Sequence, residues 1–127
     1  AAKIPPSKRF FSYIYVEQSG HTWLHRREGR DIWRGLYEPP LVESSVPLTG
    51  EELKKTAFWR KHFGGKSPRL QAGPVKHVLS HRIIYAWFYT VKVPPSVRLP
   101  EGFIRMAEKD IKKYALPRLV QKILERI

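Results

Sequence analysis

The hexapeptide KHVLSH, residues 76–81, holds two histidines four residues apart and a serine directly before the second histidine. On a helix, His77 and His81 would share one face and could bind zinc. In a β-hairpin, Ser80 and His81 would instead lie in the turn, where a hydroxyl and an imidazole could contact a polar ligand. The surrounding residues decide between these two kinds of chemistry.

The zinc interpretation meets two objections in the sequence. A metalloprotease helix carries a glutamate directly after its first histidine, and that position is Val78 here. The flanking residues are typical of strands, on which two positions four apart lie about 13 Å from each other. The chain also has no cysteine, which excludes thiolate zinc sites and iron–sulfur ligation within it. We therefore expect a hairpin and no metal site.

The elements that must position this hairpin follow from local patterns. Aromatic and β-branched residues predict strands at 8–17, 22–28 and 83–93, and the last is apolar on both faces, as in a strand covered on two sides. Thr49 and Glu52 form a capping-box pattern that predicts one helix over 49–65, ended by Gly64 or Gly65. A short helix or turn is predicted at 106–114. A final helix follows Pro117, with its apolar stripe at Leu119, Val120, Ile123, Leu124 and Ile127. This order predicts an α+β fold with a mixed, curved β-sheet flanked by helices.

The charge of the chain indicates a polyanionic partner. Lys and Arg number 24 against 11 acidic residues, giving a formal charge of +13, which favours DNA or RNA. Lys76, Arg82 and Lys66, together with His77, are the candidate contacts to a DNA backbone. An anionic membrane and an acidic part of a larger protein are the alternatives. No run of about 18 apolar residues is present, so we expect no transmembrane helix. No segment forms a long, basic amphipathic helix either, so a membrane surface ranks below nucleic acid and we expect no membrane partner.

A pyrophosphohydrolase of the Nudix type would suit this order of elements but lacks its magnesium-binding residues. That motif needs a glutamate six residues after a glycine, followed by an Arg-Glu and a Glu-Glu pair. Six residues after Gly35 stands Leu41, and Glu51 and Glu52 form a Glu-Glu pair without the preceding arrangement. Nucleophilic catalysis by Ser80 also lacks support, because no G-x-S-x-G elbow surrounds it.

Three blocks, GLYEPPLVE (35–43), KHVLSH (76–81) and YALPRLVQKIL (114–124), occur in an order and at intervals that resemble the C-terminal domain of MutY-type adenine DNA glycosylases. The resemblance covers nearly the whole chain. It implies a Nudix-like α/β/α sandwich without hydrolase activity, which recognises 8-oxoguanine opposite the mispaired adenine. The family's Phe-Ser-His loop corresponds to Leu79, Ser80 and His81, so a leucine replaces the family's phenylalanine.

The same resemblance implies that base excision and the family's iron–sulfur cluster belong to an N-terminal catalytic domain absent from this chain. We thus expect a chain that is not an enzyme by itself and holds no cofactor. Its expected partners are duplex DNA containing 8-oxoguanine:adenine and its own catalytic domain, in the bacterial cytoplasm near the nucleoid. Residues 1–7 would be the remnant of an interdomain linker and 8–127 the lesion-recognition domain. An active Nudix hydrolase and a basic RNA- or protein-binding module remain alternatives.

Overall fold

The computed structural model describes residues 5–126 of the chain. They form, in order, strands β1 (Ser7–Glu17), β2 (His21–Arg26), β3 (Tyr37–Glu38) and β4 (Leu41–Ser44), helices α1 (Gly50–Lys54) and α2 (Ala57–Phe63), strands β5 (Arg69–Leu79), β6 (Arg82–Lys92) and β7 (Phe103–Ala107), a 3₁₀-helix (Glu108–Lys113), and helix α3 (Arg118–Glu125). Residues 1–4 of the predicted linker and Ile127 of the predicted apolar stripe lie outside the described residues.

A four-stranded mixed sheet in the order β4-β1-β6-β5 forms the centre of the molecule. β1 runs parallel to β6 and antiparallel to β4, and β5 pairs with β6 antiparallel. A second, antiparallel sheet has the order β3-β2-β7. This arrangement confirms the predicted mixed sheet.

β6 is covered on both faces, as its continuous apolar run predicts. Ile84, Ala86 and Phe88 pack in one cluster with Leu119, Val120 and Ile123 of α3. Tyr89 and Val91 belong to the opposite cluster, which contains the buried side chains of α1 and α2, Leu53, Trp59 and Phe63. The sheet therefore lies between helices on its two faces, and the predicted sandwich is confirmed. None of the helices in residues 5–126 is both long and apolar enough to cross a membrane.

The single helix predicted over 49–65 is wrong, because the structure divides it into α1 and α2. The capping box at Thr49 and Glu52 is present and begins α1. Thr56 then ends α1 and caps α2: its hydroxyl donates to the carbonyl oxygen of Leu53 at 2.7 Å and accepts from the backbone N–H of Trp59 at 3.3 Å. A threonine hydroxyl that bonds its own backbone competes with helix continuation. The chain changes direction at this break, and Trp59 of α2 is fully buried.

A buried polar network connects β1, β2 and β3 around the fully buried Glu38. Oε1 of Glu38 accepts from the hydroxyl of Tyr13 at 2.8 Å, and Oε2 accepts from Arg27 at 2.9 Å. Nε2 of His25 lies 3.0 Å from Oε2, but not in hydrogen-bond geometry. Burial, reinforced by the charge of Glu38, raises the pKa of Tyr13 well above its ordinary value. The glutamate of the GLYEPP block is thus a structural anchor in the interior.

Asp31 fastens the loop between β2 and β3 onto the central sheet. Its carboxylate accepts two hydrogen bonds of 2.8 Å from Arg9 of β1 and one of 2.9 Å from Arg27. The hydrogen bonds from Arg9 hold the pKa of Asp31 well below its ordinary range. Arg9 also makes a bidentate pair with Glu43 of β4. These bonds fix the position of residues 31–33 beside the end of β5.

Candidate functional site

Ser80 and His81 form the two-residue turn that joins β5 to β6. Leu79 and Arg82 are the last paired residues of the hairpin, and both turn residues are exposed. The hairpin interpretation of KHVLSH is therefore correct: His77 lies on β5, paired with Ile84, while His81 lies in the turn. No group of three or more potential metal ligands occurs in the part of the chain that the structure describes, residues 5–126.

The turn is anchored by the first residue of β1. The backbone N–H of Ser7 donates to the carbonyl oxygen of His81 at 3.2 Å, and the Ser7 hydroxyl lies 3.4 Å from the same oxygen. This bond joins the turn to β1, which lies inside the four-stranded sheet. An exposed turn joined to the central sheet is a suitable place for a binding group.

An open groove of about 520 Å³ surrounds the turn. Its lining combines the four hairpin residues with β1 and the β2–β3 loop: Ser7, Ile32, Trp33, Leu79, Ser80, His81 and Arg82. The groove places a hydroxyl, an imidazole and a guanidinium beside an indole ring. This combination suits a planar, polar, anionic ligand, because the ring offers a stacking face and the polar groups offer hydrogen bonds.

Trp33 is a groove residue that the sequence reasoning missed. Its φ of +57° is in the left-handed region, which non-glycine residues rarely adopt. The indole contacts the ring of Phe11 at 6.2 Å and that of His77 at 5.8 Å, centroid to centroid, and the Arg27 guanidinium lies 6.0 Å from it. These contacts join residues far apart in the chain, so no local pattern could have indicated them.

Two other predicted site residues, Leu79 and His77, are only partly exposed. Leu79 is half-buried and packs against the apolar cluster of α3, so its side chain also serves the core. His77 is half-buried, and burial, assisted by the charge of Lys122, lowers its pKa. A histidine with a lowered pKa is neutral near pH 7 and brings no positive charge to a phosphate.

The predicted cations separate into two groups. Lys76 and Arg82 are exposed and lie at the same end of β5 and β6 as the turn. Lys66 precedes β5 at its opposite end, where Arg69 pairs with Thr90. An eleven-residue strand separates the two ends by roughly 30 Å. Lys66 therefore does not belong to the groove around Ser80.

Comparison with known proteins identifies the fold. A family model described as "NUDIX domain" matches residues 12–126. No curated protein sequence matches the chain significantly. Among solved structures, the C-terminal domain of mouse MUTYH, in its complex with human PCNA, has a TM-score of 0.70 at 15% identity over 93% of this chain and 86% of that chain.

Nudix proteins of other kinds are also similar, one of them with the same TM-score. The MutT protein of Methanosarcina mazei Go1 has a TM-score of 0.70 at 17% identity, over 98% of this chain and 95% of its own. The Ap4A hydrolase of C. elegans has a TM-score of 0.56 at 13% identity, over 95% of both chains. At these identities the structures show a shared fold and do not choose between a recognition domain and a hydrolase. With the family model matching nearly its whole length, the chain belongs to the NUDIX domain family.

Proposed function

We propose that this chain is a lesion-recognition domain of an adenine DNA glycosylase, in which the turn at Ser80 and His81 contacts 8-oxoguanine opposite adenine. The observation that carries the proposal is the exposed Ser80 in a hairpin turn, within a groove that also contains His81 and Arg82. Base excision belongs to a separate catalytic domain of the same protein. The duplex that contains the mispair is the partner of both domains.

The chemistry of the lesion suits a serine hydroxyl. The major-groove edge of guanine presents only acceptors, whereas oxidation adds a carbonyl and converts the neighbouring ring nitrogen into an N–H donor. The Ser80 hydroxyl can accept from this N–H, and His81 or a backbone N–H can donate to the new carbonyl. Normal guanine leaves such a site unsatisfied. One contact of this kind contributes about 1–3 kcal/mol of discrimination.

The side chains of α1 support recognition over hydrolysis. Glu52 is occupied by the capping box, in which its carboxylate accepts from the backbone N–H of Thr49 at 3.1 Å. Glu51 stands next to it on a helix of five residues, and α2 carries no acidic residue. Glu38, in the GLYEPP block, is buried against Arg27 and Tyr13. These carboxylates have structural partners or stand alone, so none forms the paired set that magnesium-dependent hydrolysis requires.

Ser80→Ala is expected to reduce the preference for 8-oxoguanine:adenine over guanine:adenine duplexes by about tenfold, because the donor on the lesion loses its acceptor. The affinity for the unmodified guanine:adenine duplex should remain nearly unchanged. Competition measured by fluorescence anisotropy gives both quantities. The matched control is Ser45→Ala, which removes the hydroxyl of another exposed serine and should leave the preference intact. An unchanged preference in Ser80→Ala, or no preference in the wild-type chain, would contradict the proposal.

Phosphate-release assays test the alternative function. With magnesium and nucleoside triphosphates, including the 8-oxoguanine nucleotide, we expect no release of phosphate or pyrophosphate above the uncatalysed rate. The reason is the lack of paired carboxylates described above. A MutT-type hydrolase assayed in parallel shows that the conditions support turnover. Catalytic release by this chain would replace the recognition proposal with a hydrolase.

A further inference from the structure

Residues 53–100 contain ten Lys and Arg residues and no Asp or Glu. This acid-free segment covers the end of α1, all of α2, and the hairpin of β5 and β6. The segment therefore contributes cations and no carboxylate to the surfaces that it forms, and the acidic residues come from other segments. A surface with an excess of positive charge attracts anions and raises their local concentration.

A second groove, of about 600 Å³, lies at the end of the β5–β6 hairpin opposite the Ser80 turn, and it is distinct from the groove around Ser80. Three cations line it, with two hydroxyls, an amide and one carboxylate among the other lining residues: Lys66, Arg69 and Lys92; Ser67 and Thr90; Gln71; and Glu17. A further ammonium, Nζ of Lys54, lies 3.3 Å from the Ser67 hydroxyl at its margin. The cations thus outnumber the single carboxylate, and neutral donors stand among them.

The walls of this groove are held in place by buried contacts. The indole N–H of the fully buried Trp59 donates to the carbonyl oxygen of Lys66 at 2.8 Å, which fixes the loop before β5. The amide of Gln71 donates to the hydroxyl of Thr90 at 3.0 Å across β5 and β6. Within residues 5–126, Lys66, Arg69 and Lys92 form no ion pair. These bonds fix the backbone beneath the groove, and the three cations keep their charge available for a ligand.

We propose that this second groove binds the phosphate backbone of duplex DNA. Charge complementarity argues for this occupant, because cations with interleaved neutral donors are the groups that contact phosphate and sugar. The groove lies roughly 30 Å from the Ser80 turn along β5, which corresponds to about nine base-pair steps of 3.4 Å. Binding at this groove does not require a damaged base, so this proposal goes beyond the proposed recognition of 8-oxoguanine.

The test compares two variants that each lose three positive charges. The groove variant is Lys66→Gln, Arg69→Gln, Lys92→Gln. The matched control is Arg105→Gln, Lys109→Gln, Lys112→Gln, whose exposed side chains lie on β7 and the 3₁₀-helix. Binding of an unmodified duplex of about 30 base pairs is followed by fluorescence anisotropy across a salt series. A third variant, Lys66→Arg, Arg69→Lys, Lys92→Arg, keeps the charge.

We expect the groove variant to bind at least about tenfold more weakly at low salt and to lose about two to three units of the salt-dependence slope. The control variant should change affinity less than about threefold, and the charge-keeping variant should bind as wild type. Equal losses in the groove and control variants would overturn the proposal, since net charge alone would then explain binding. Preferential competition by an acidic peptide over duplex DNA would also overturn it.

The lesion preference separates this inference from the proposed function. The groove variant should weaken lesion and normal duplexes equally and keep their ratio. Ser80→Ala should lower the ratio and keep the affinity for the normal duplex. The proposed phosphate-binding groove and the proposed recognition of 8-oxoguanine can therefore be contradicted independently.

Discussion

Glu38→Ala is expected to lower the free energy of unfolding by about 3 kcal/mol, because the buried Arg27 guanidinium loses one of its two carboxylate partners and keeps only the partly exposed Asp31. Arg27 is almost fully buried and donates to Glu38 at 2.9 Å, and Tyr13 loses the acceptor of its 2.8 Å hydrogen bond as well. Removing one member of a buried pair costs more than the pair itself contributes. Urea denaturation followed by tryptophan fluorescence measures the change.

Two further variants make this prediction specific. Glu28→Ala, at an exposed glutamate of the neighbouring loop, should change stability by no more than about 0.5 kcal/mol. A double variant in which Arg27→Leu accompanies Glu38→Met should be more stable than Glu38→Ala, because no unpaired buried charge remains. A loss of less than about 1 kcal/mol in Glu38→Ala would show that the network is not the anchor described here.

Gly73→Ala is expected to destabilise the fold by about 2–4 kcal/mol, because the new methyl group has no space. Gly73 has a φ of +127°, and a Cβ there would lie 2.8 Å from both the carbonyl oxygen of Ala86 and the Cα of Trp87. Both obstacles are backbone atoms of β6, the central strand, and cannot rotate away. The position lies where the register of β5 against β6 shifts, so β5 would have to move.

Gly65→Ala provides the control, since a Cβ at Gly65 meets nothing within 4 Å. It should change the unfolding midpoint little, whereas Gly73→Ala should lower it clearly in the same urea titration. Because β5 carries the Ser80 turn, Gly73→Ala should also weaken the preference for the lesion duplex. Equal stability of the two alanine variants would contradict the close approach of β5 and β6.

The blocks that carry the family resemblance have different roles in the structure. In GLYEPP, Glu38 is an internal anchor, and the carbonyl oxygen of the buried Pro40 accepts from the backbone N–H of Ile14 at 2.8 Å. In KHVLSH, the last two residues are an exposed turn. One block therefore contributes to the packing of the interior, and the other exposes polar groups to solvent. The proposed function rests on the second block.

Local patterns in the sequence were sufficient to predict β1, the two-sided burial of β6, the capping box of α1 and the turn at Ser80. Each depends on residues close together in the chain, such as an alternating apolar run or a threonine three residues before a glutamate. The helix break at Thr56 is also local, but the capping box at Thr49 and Glu52 and the glycines at 64 and 65 mark only the two outer ends of the predicted helix. The Thr56 hydroxyl ends the first helix between those two signals.

Only the tertiary structure shows which residues of the two grooves lie close together in space. Trp33 reaches His77 because Asp31 is bound by Arg9 and Arg27. Lys66 is separated from Lys76 because Lys66 precedes β5, whereas Lys76 lies near the end of that strand. Such contacts depend on strand register and on ion pairs between distant segments, which no short window of sequence contains. The sequence therefore determined the elements and the exposed turn, whereas the groove around Ser80 and the second cationic groove exist only through long-range packing.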